Sequence, residues 1–178
     1  MRATMTQSDI EVAFKRHIGA SMRGYGIYDL PILQHFDYLK KGRKDFALYF
    51  TVQNPRRVAN AHRSYNPVSA DDAGHVESLH FEADVSITCL SEEEKTGIAP
   101  LDLAMTAAQA VGSLPFIEAM RADGLGVQAC SNITTIHAKD DHDNFALECS
   151  FSFPITFSRH IMPLTKTIMA AELNSFLL

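Results

Sequence analysis

The sequence predicts an α+β fold, and three observations carry that prediction. Two segments alternate apolar and polar residues over lengths unusual for strands, several others repeat apolar residues at helical spacing, and strands and helices come in groups. The expected order is helix, strand, strand, two helices, strand, strand, helix.

Ser8-Asp9-Ile10-Glu11 matches the S-x-x-E capping box, where the serine oxygen accepts a free first-turn amide and the glutamate reaches back to the cap. Ile10, Phe14 and Ile18 follow on one helical face, so residues 9 to about 20 are predicted as an amphipathic helix. Gly24 and Gly26 break it, and residues 24–44 read as irregular, closing on Lys40-Lys41-Gly42-Arg43-Lys44. From 45 the period becomes two. Phe46, Leu48, Phe50 and Val52 share one face of a strand that Asn54-Pro55 is expected to close. Pro55 to about His75 then reads as a long polar loop, and loops beyond about 12–15 residues are usually functional or mobile.

Residues 77–90 alternate throughout, with Leu79, Phe81, Ala83, Val85, Ile87 and Cys89 facing one way and His80, Glu82, Asp84, Ser86 and Thr88 the other. Such a strand would run about 46 Å and meet water or a polar neighbour on its second face. After a charged turn, Pro100 suits a first helical turn, and Leu101, Ala104, Met105, Ala108 and Val111 form a narrow apolar stripe. A second short helix is capped by Ser113, begins at Pro115, turns Phe116, Ile117 and Met120 inward and stops at Asp123-Gly124. Residues 126–138 and 143–157 read as a hairpin, with Phe145, Leu147, Cys149, Phe151, Phe153 and Ile155 on one face of the second arm. Pro154 cannot donate to a ladder, so that end is expected at an edge or past the paired part. Residues 1–158 thus form one domain. Residues 159–178 are expected to leave it as a C-terminal arm, with Met169, Leu173, Phe176 and Leu177 on one face of a terminal helix.

The chain as a whole limits the function classes. Its 178 residues suffice for one such domain, and the 46% hydrophobic content is that of a globular protein. No apolar run approaches the ~20 residues of a membrane helix, and the N-terminus lacks an uninterrupted apolar signal core. A net charge of −5 and a pI near 5.9 argue against a protein that draws its affinity from nucleic-acid phosphates. Lys40, Lys41, Arg43, Lys44, Arg56, Arg57 and Arg63 nevertheless crowd into one stretch, which reads as a solvated face or as a partner surface.

Catalytic chemistry has no foothold in the pattern. Cys89, Cys130 and Cys149 show no C-x-x-C spacing and read as small buried hydrophobes. The turn Asp140-Asp141-His142-Asp143 lacks the glycine and distal glutamate of a calcium loop. There is no G-x-S-x-G elbow, and Gly124-Leu125-Gly126 precedes a strand, not the helix that would offer free amides to phosphate. No metal or cofactor is expected, and no enzymatic activity.

Residues 97–127, GIAPLDLAMTAAQAVGSLPFIEAMRADGLGV, carry a family resemblance. They end in R-x-x-G-[IL]-G-V (Arg121, Gly124, Leu125, Gly126, Val127) and lead to a hairpin with Asp140-Asp141 at its tip and S-F-x-F (Ser150 to Phe153) in its second arm. Over about residues 8–157 the chain resembles the tail terminator and neck proteins of tailed bacteriophages. The resemblance implies a mixed, largely antiparallel curved sheet with helices packed on one face, assembled as a ring, commonly a hexamer. That ring caps the tail tube and presents the surface that joins the head. Implied partners are copies of itself, the tail tube protein, a head-completion or neck protein and possibly the tail sheath, with DNA passing through the lumen and no membrane. Its place would be the virion, after synthesis in the host cytoplasm. The interface residues expected from all this are Arg56, Arg57, Arg63, Asp140, Asp141, Met169, Leu173, Phe176 and Leu177. A different neck or head-completion ring, and a small ligand-binding or enzyme dimer, stand as the alternatives.

Overall fold

The two long alternating segments form the middle of one sheet. A computed structural model of the chain describes residues 5–35, 44–67, 72–139, 145–161 and 164–166. In it β4 (Asp72–Leu90) pairs antiparallel with β7 (Phe145–Ile161) from Glu77↔Ile161 to Leu90↔Glu148. On the other side of β4 lies β2 (Ala47–Arg57), and outside β2 a short parallel β1 (Ile32–Gln34). On the far side of β7 lie β5 (Leu125–Val127) and β6 (Thr134–Lys139), end to end. Two more strands lengthen the sheet downward: β3 (His62–Pro67) continues the line of β2 along β4, and β8 (Leu164–Lys166) continues that of β7. The sheet is mixed and largely antiparallel, as expected, and α1 (Gln7–Gly24), α3 (Pro100–Gly112) and α4 (Leu114–Ala122) pack on one of its faces. A single turn, α2 (Glu93–Thr96), links β4 to α3.

The core lies between that face and the helices. Phe14 of α1 is its hub, with ring centroids 4.8 Å from Phe50, 6.0 Å from Phe153 and 6.2 Å from Phe116. Ala83, Val85, Ile87 and Cys89 are buried, so β4 faces as its alternation predicts. Ala47, Tyr49 and Leu90 form a smaller buried cluster on the opposite face, beside Leu33.

Several local expectations are corrected. The capping box of α1 sits at Thr6, not Ser8: Thr6 Oγ1 accepts from the Asp9 amide at 3.2 Å, and the Asp9 carboxylate accepts from the Thr6 amide at 2.8 Å. T-x-x-D does the work of S-x-x-E two residues earlier. Asn54-Pro55 does not close β2. Asn54 takes φ 55°, the ladder slips between Gln53 and Arg56, and the strand bends through a bulge to Arg57. The stretch expected as a loop from Pro55 is largely strand, because β3 folds back along β4.

On α3 the buried stripe is Leu103, Ala104, Ala107, Ala110 and Val111, whereas Leu101 and Met105 are exposed. Ser113 stands at the cap of α4, but its hydroxyl turns back to the Ala110 carbonyl at 2.7 Å and caps nothing. Pro154 lies mid-sheet, paired with Asp84. Its carbonyl accepts from the Gln128 amide across the break between β5 and β6, so its missing N–H points at that same break and costs no ladder bond. β7 also passes the expected end near Phe157, reaching Ile161, and β8 returns Leu164–Lys166 to the sheet. The terminal helix expected over Met169, Leu173, Phe176 and Leu177 lies outside the described residues.

Candidate assembly surfaces

The face of the sheet away from the helices is a field of hydroxyls, carboxylates and imidazoles. Period two places Ser78, His80, Glu82, Asp84, Ser86 and Thr88 of β4 there, beside Ser150, Ser152, Thr156, Ser158 and His160 of β7. These groups pair with one another. Gln53 Nε2 donates to Ser86 Oγ at 3.0 Å and Gln128 Nε2 to Glu82 Oε2 at 3.1 Å. Ser158 Oγ lies 2.8 Å from His80 Nδ1, and Ser78 Oγ 2.9 Å from His160 Nδ1. A face so satisfied suits water or a polar neighbour.

The basic stretch is not one patch. Lys44 precedes β2 near Leu90, whereas Arg56 and Arg57 stand at the other end, about 35 Å away along an eleven-residue strand. Arg56 is committed to its own sheet: it pairs with Glu82 and stands 3.6 Å from Asp84. Arg57 donates from Nε to the Ala59 carbonyl at 2.8 Å and is exposed. Arg63 lies on β3 opposite Glu77. Lys40, Lys41, Arg43, Asp140, Asp141, Met169, Leu173, Phe176 and Leu177 fall outside the described residues.

One ion-pair cluster had no signal in the sequence, because its members are more than a hundred residues apart. Asp123, at the C-terminal end of α4, accepts from Arg16 and lies 2.6 Å from Nε2 of His17, both on α1. The His17 hydrogen bond is the main cause that holds the Asp123 carboxyl below the usual carboxylate range; burial opposes it, and Arg16 adds to the lowering by hydrogen bond and charge. The depression beside it is lined by Met5, Asp9, Val12, Ala13, Arg16, Asp123 and Leu125, and both of its carboxylates are hydrogen-bonded, Asp9 at the cap of α1 and Asp123 to Arg16 and His17 of α1. The cluster ties α1 to α4.

The glycines of the R-x-x-G-[IL]-G-V motif have separate reasons. Gly124 adopts φ 86° where the chain leaves α4, a conformation that side chains resist. Gly126 lies opposite Thr156, and any Cβ there would collide with its Oγ1. Cys89 and Cys149 are directly opposed on β4 and β7, buried and unbridged. Burial, with a smaller contribution from Cys149, pushes the Cys89 thiol up to about 12. Among the described residues no group of three or more His, Cys, Asp or Glu could hold a metal ion, and no helix is long and apolar enough to cross a membrane.

No curated protein matches the chain. The family model described as E217 gateway protein gp29 matches residues 9–167, nearly the whole chain. That family is of the phage neck type the sequence resemblance implied, and it is a gateway protein family, not a tail terminator family. The chain therefore belongs to the E217 gateway protein gp29 family, a phage head–tail connector or neck-type family.

Proposed function

We propose that the protein is a ring-forming subunit of the phage neck, whose closed ring caps the tail tube and joins it to the head. The shape of the sheet is the observation that supports this reading. Among the β4 residues whose burial is described, the last fully buried one is Ala83, yet the strand continues for eleven residues to Asp72, flanked there by β3 and β8. That arm is on the order of 35 Å long, and its described residues from Glu77 to Glu82 are only partly buried or exposed, which leaves surface for a neighbouring copy to cover. Contacts between copies would bury it, and obligate interfaces commonly bury 2,000–5,000 Å² or more. Closing the ring would also cover the open edges at β1 and β6. The hydroxyl-rich face suits a wet lumen through which DNA passes without sequence-specific contact.

In this role the protein is structural, needs no cofactor and performs no catalysis. Its partners are copies of itself, the tail tube protein and the head-completion or neck protein, with the tail sheath a further neighbour in a contractile tail. Electron microscopy of particles carrying a tagged copy tests the assignment: density in a ring between head and tail supports it. Label elsewhere in the particle, or only on unassembled protein, counts against it. A head-completion ring would label one layer nearer the head.

A further inference from the structure

Two apolar patches left open in the single chain stand on opposite edges of the sheet. At the β1 edge a groove of about 390 Å³ runs between the second half of α1 and the loop entering β1. Met22, Ile27 and Ile32 make its floor, and Tyr28, 65% exposed, stands on its rim. Lys15, Arg23 and Asp29 also line it, and none of the three makes an ion pair among the described residues, so the groove carries a net positive charge. At the β6 edge the outward face of α3 presents Leu101 and Met105, 42% and 55% exposed, beside Ile133 just before β6. Asp102 and Gln109 accompany them on that helix, and Asp102 likewise has no ion-pair partner among the described residues.

We infer that the α3–β6 ridge of one copy seats in the α1–β1 groove of the next, forming the repeating contact of the ring. The patches match in kind. An apolar ridge with a carboxylate meets an apolar groove whose two uncommitted cations outnumber its one carboxylate, Asp29, so Leu101 and Met105 would cover Ile27 and Tyr28 while Asp102 approaches Lys15 or Arg23. They also differ from each other, which makes the contact heterologous, the type that closes into rings. One copy cannot satisfy both: β1 and the β6 edge are separated by β2, β4 and β7, roughly 19 Å at the usual strand spacing. This inference rests on the ring reading above and specifies which surfaces make it.

Cross-linking tests the contact directly. Tyr28→Cys and Met105→Cys variants, and the chain carrying both, are treated with a short bismaleimide, with the wild-type protein as the background for its native cysteines. The double variant should give a ladder of covalent multimers, and each single variant should match the wild type. Met105→Asp, at a position too exposed to threaten the fold, should reduce assembly by at least tenfold in sedimentation velocity. Wild type that assembles while the double variant gives no ladder, or while Met105→Asp assembles normally, overturns the inference and leaves the ring standing. Wild type that stays monomeric and uncaptured in the presence of tail tubes overturns the ring reading, and this contact with it.

Discussion

The ring of Phe81 stacks on that of Phe157 across β4 and β7, centroids 5.6 Å apart and planes 16° from parallel, with the Arg159 guanidinium 5.7 Å from the Phe81 centroid. This pair marks where the core ends: Phe157 is buried and Phe81 half-buried. Truncating Phe151 or Phe153, both buried, should cost about 3–5 kcal/mol, and Phe81→Ala about half as much because part of its surface already meets water. Urea unfolding of the three variants checks this. Equal losses at Phe81 and Phe153 would mean that the arm unfolds as part of the core.

Asp123 links α1 to α4, and its lowered carboxyl pKa fixes the sign of a pH effect. A carboxylate whose folded pKa lies below its unfolded value, about 3.9, stabilises the fold above that value and loses the contribution as pH falls through the folded one. Wild type should therefore be more stable than Asp123→Asn at pH 6, and the two should converge below about pH 4. His17, Arg16 and Asp9 are the charged or titratable groups beside it. Melting curves from pH 3 to 7 that stay parallel would refute the assignment.

Gly124 is held at φ 86° between α4 and β5, so Gly124→Ala should cost about 1–2 kcal/mol through backbone strain alone. At Gly112, within a helix and with open space around its missing side chain, the same change should cost nothing or stabilise slightly. Comparing the two melting points separates backbone strain from simple tolerance of an added methyl group.

The cysteines should be quiet in the folded protein. Cys89 is buried with its thiol raised to about 12, and burial also raises that of half-buried Cys130. Because the thiolate is the nucleophile, alkylation near pH 8 should leave Cys89 unmodified until denaturant is added. Chelators and reductants should leave the melting point unchanged. Rapid labelling of Cys89, or a melting point several degrees lower with chelator, would contradict this.

What the sequence revealed depended on whether burial was one-sided. On β4, Ala83 to Cys89 pack against helices on one face only, so period two survives in the residue pattern. On β3, His62–Pro67 carries no apolar alternation and His62 and Ser64 are exposed, so a strand reads as a loop. The helix α3 was found but rotated: PLDLAMTAAQAV is apolar around most of its circumference, and alanines fit either stripe. That ambiguity has a physical origin, since Leu101 and Met105 are an apolar surface the single chain does not bury. Of the expected interface residues, Arg56 is already paired within its own sheet, a long-range contact that spacing cannot display.

Removing the C-terminal segment distinguishes a stabilising tail from an assembling one. Lys166 pairs with Asp72 at the end of β4 farthest from the helices, eleven residues or about 36 Å from Ala83, the last fully buried residue among those of that strand whose burial is described. The twelve residues that follow carry Met169, Leu173, Phe176 and Leu177, apolar at helical spacing. Twelve residues reach about 18 Å as a helix and about 40 Å fully extended. A helix there cannot return to the core, and a strand would arrive with no length left to pack. Deletion of 167–178 should therefore leave the circular dichroism and melting point unchanged and reduce incorporation into particles, because four apolar side chains at about 1.5–3 kcal/mol each would lose their place on a neighbour. A cut at 160 is a different experiment, since it also removes the Glu77↔Ile161 pair and β8. A 167–178 deletion that melts several degrees lower would place the segment on its own domain, and one that assembles normally would remove it from the interface.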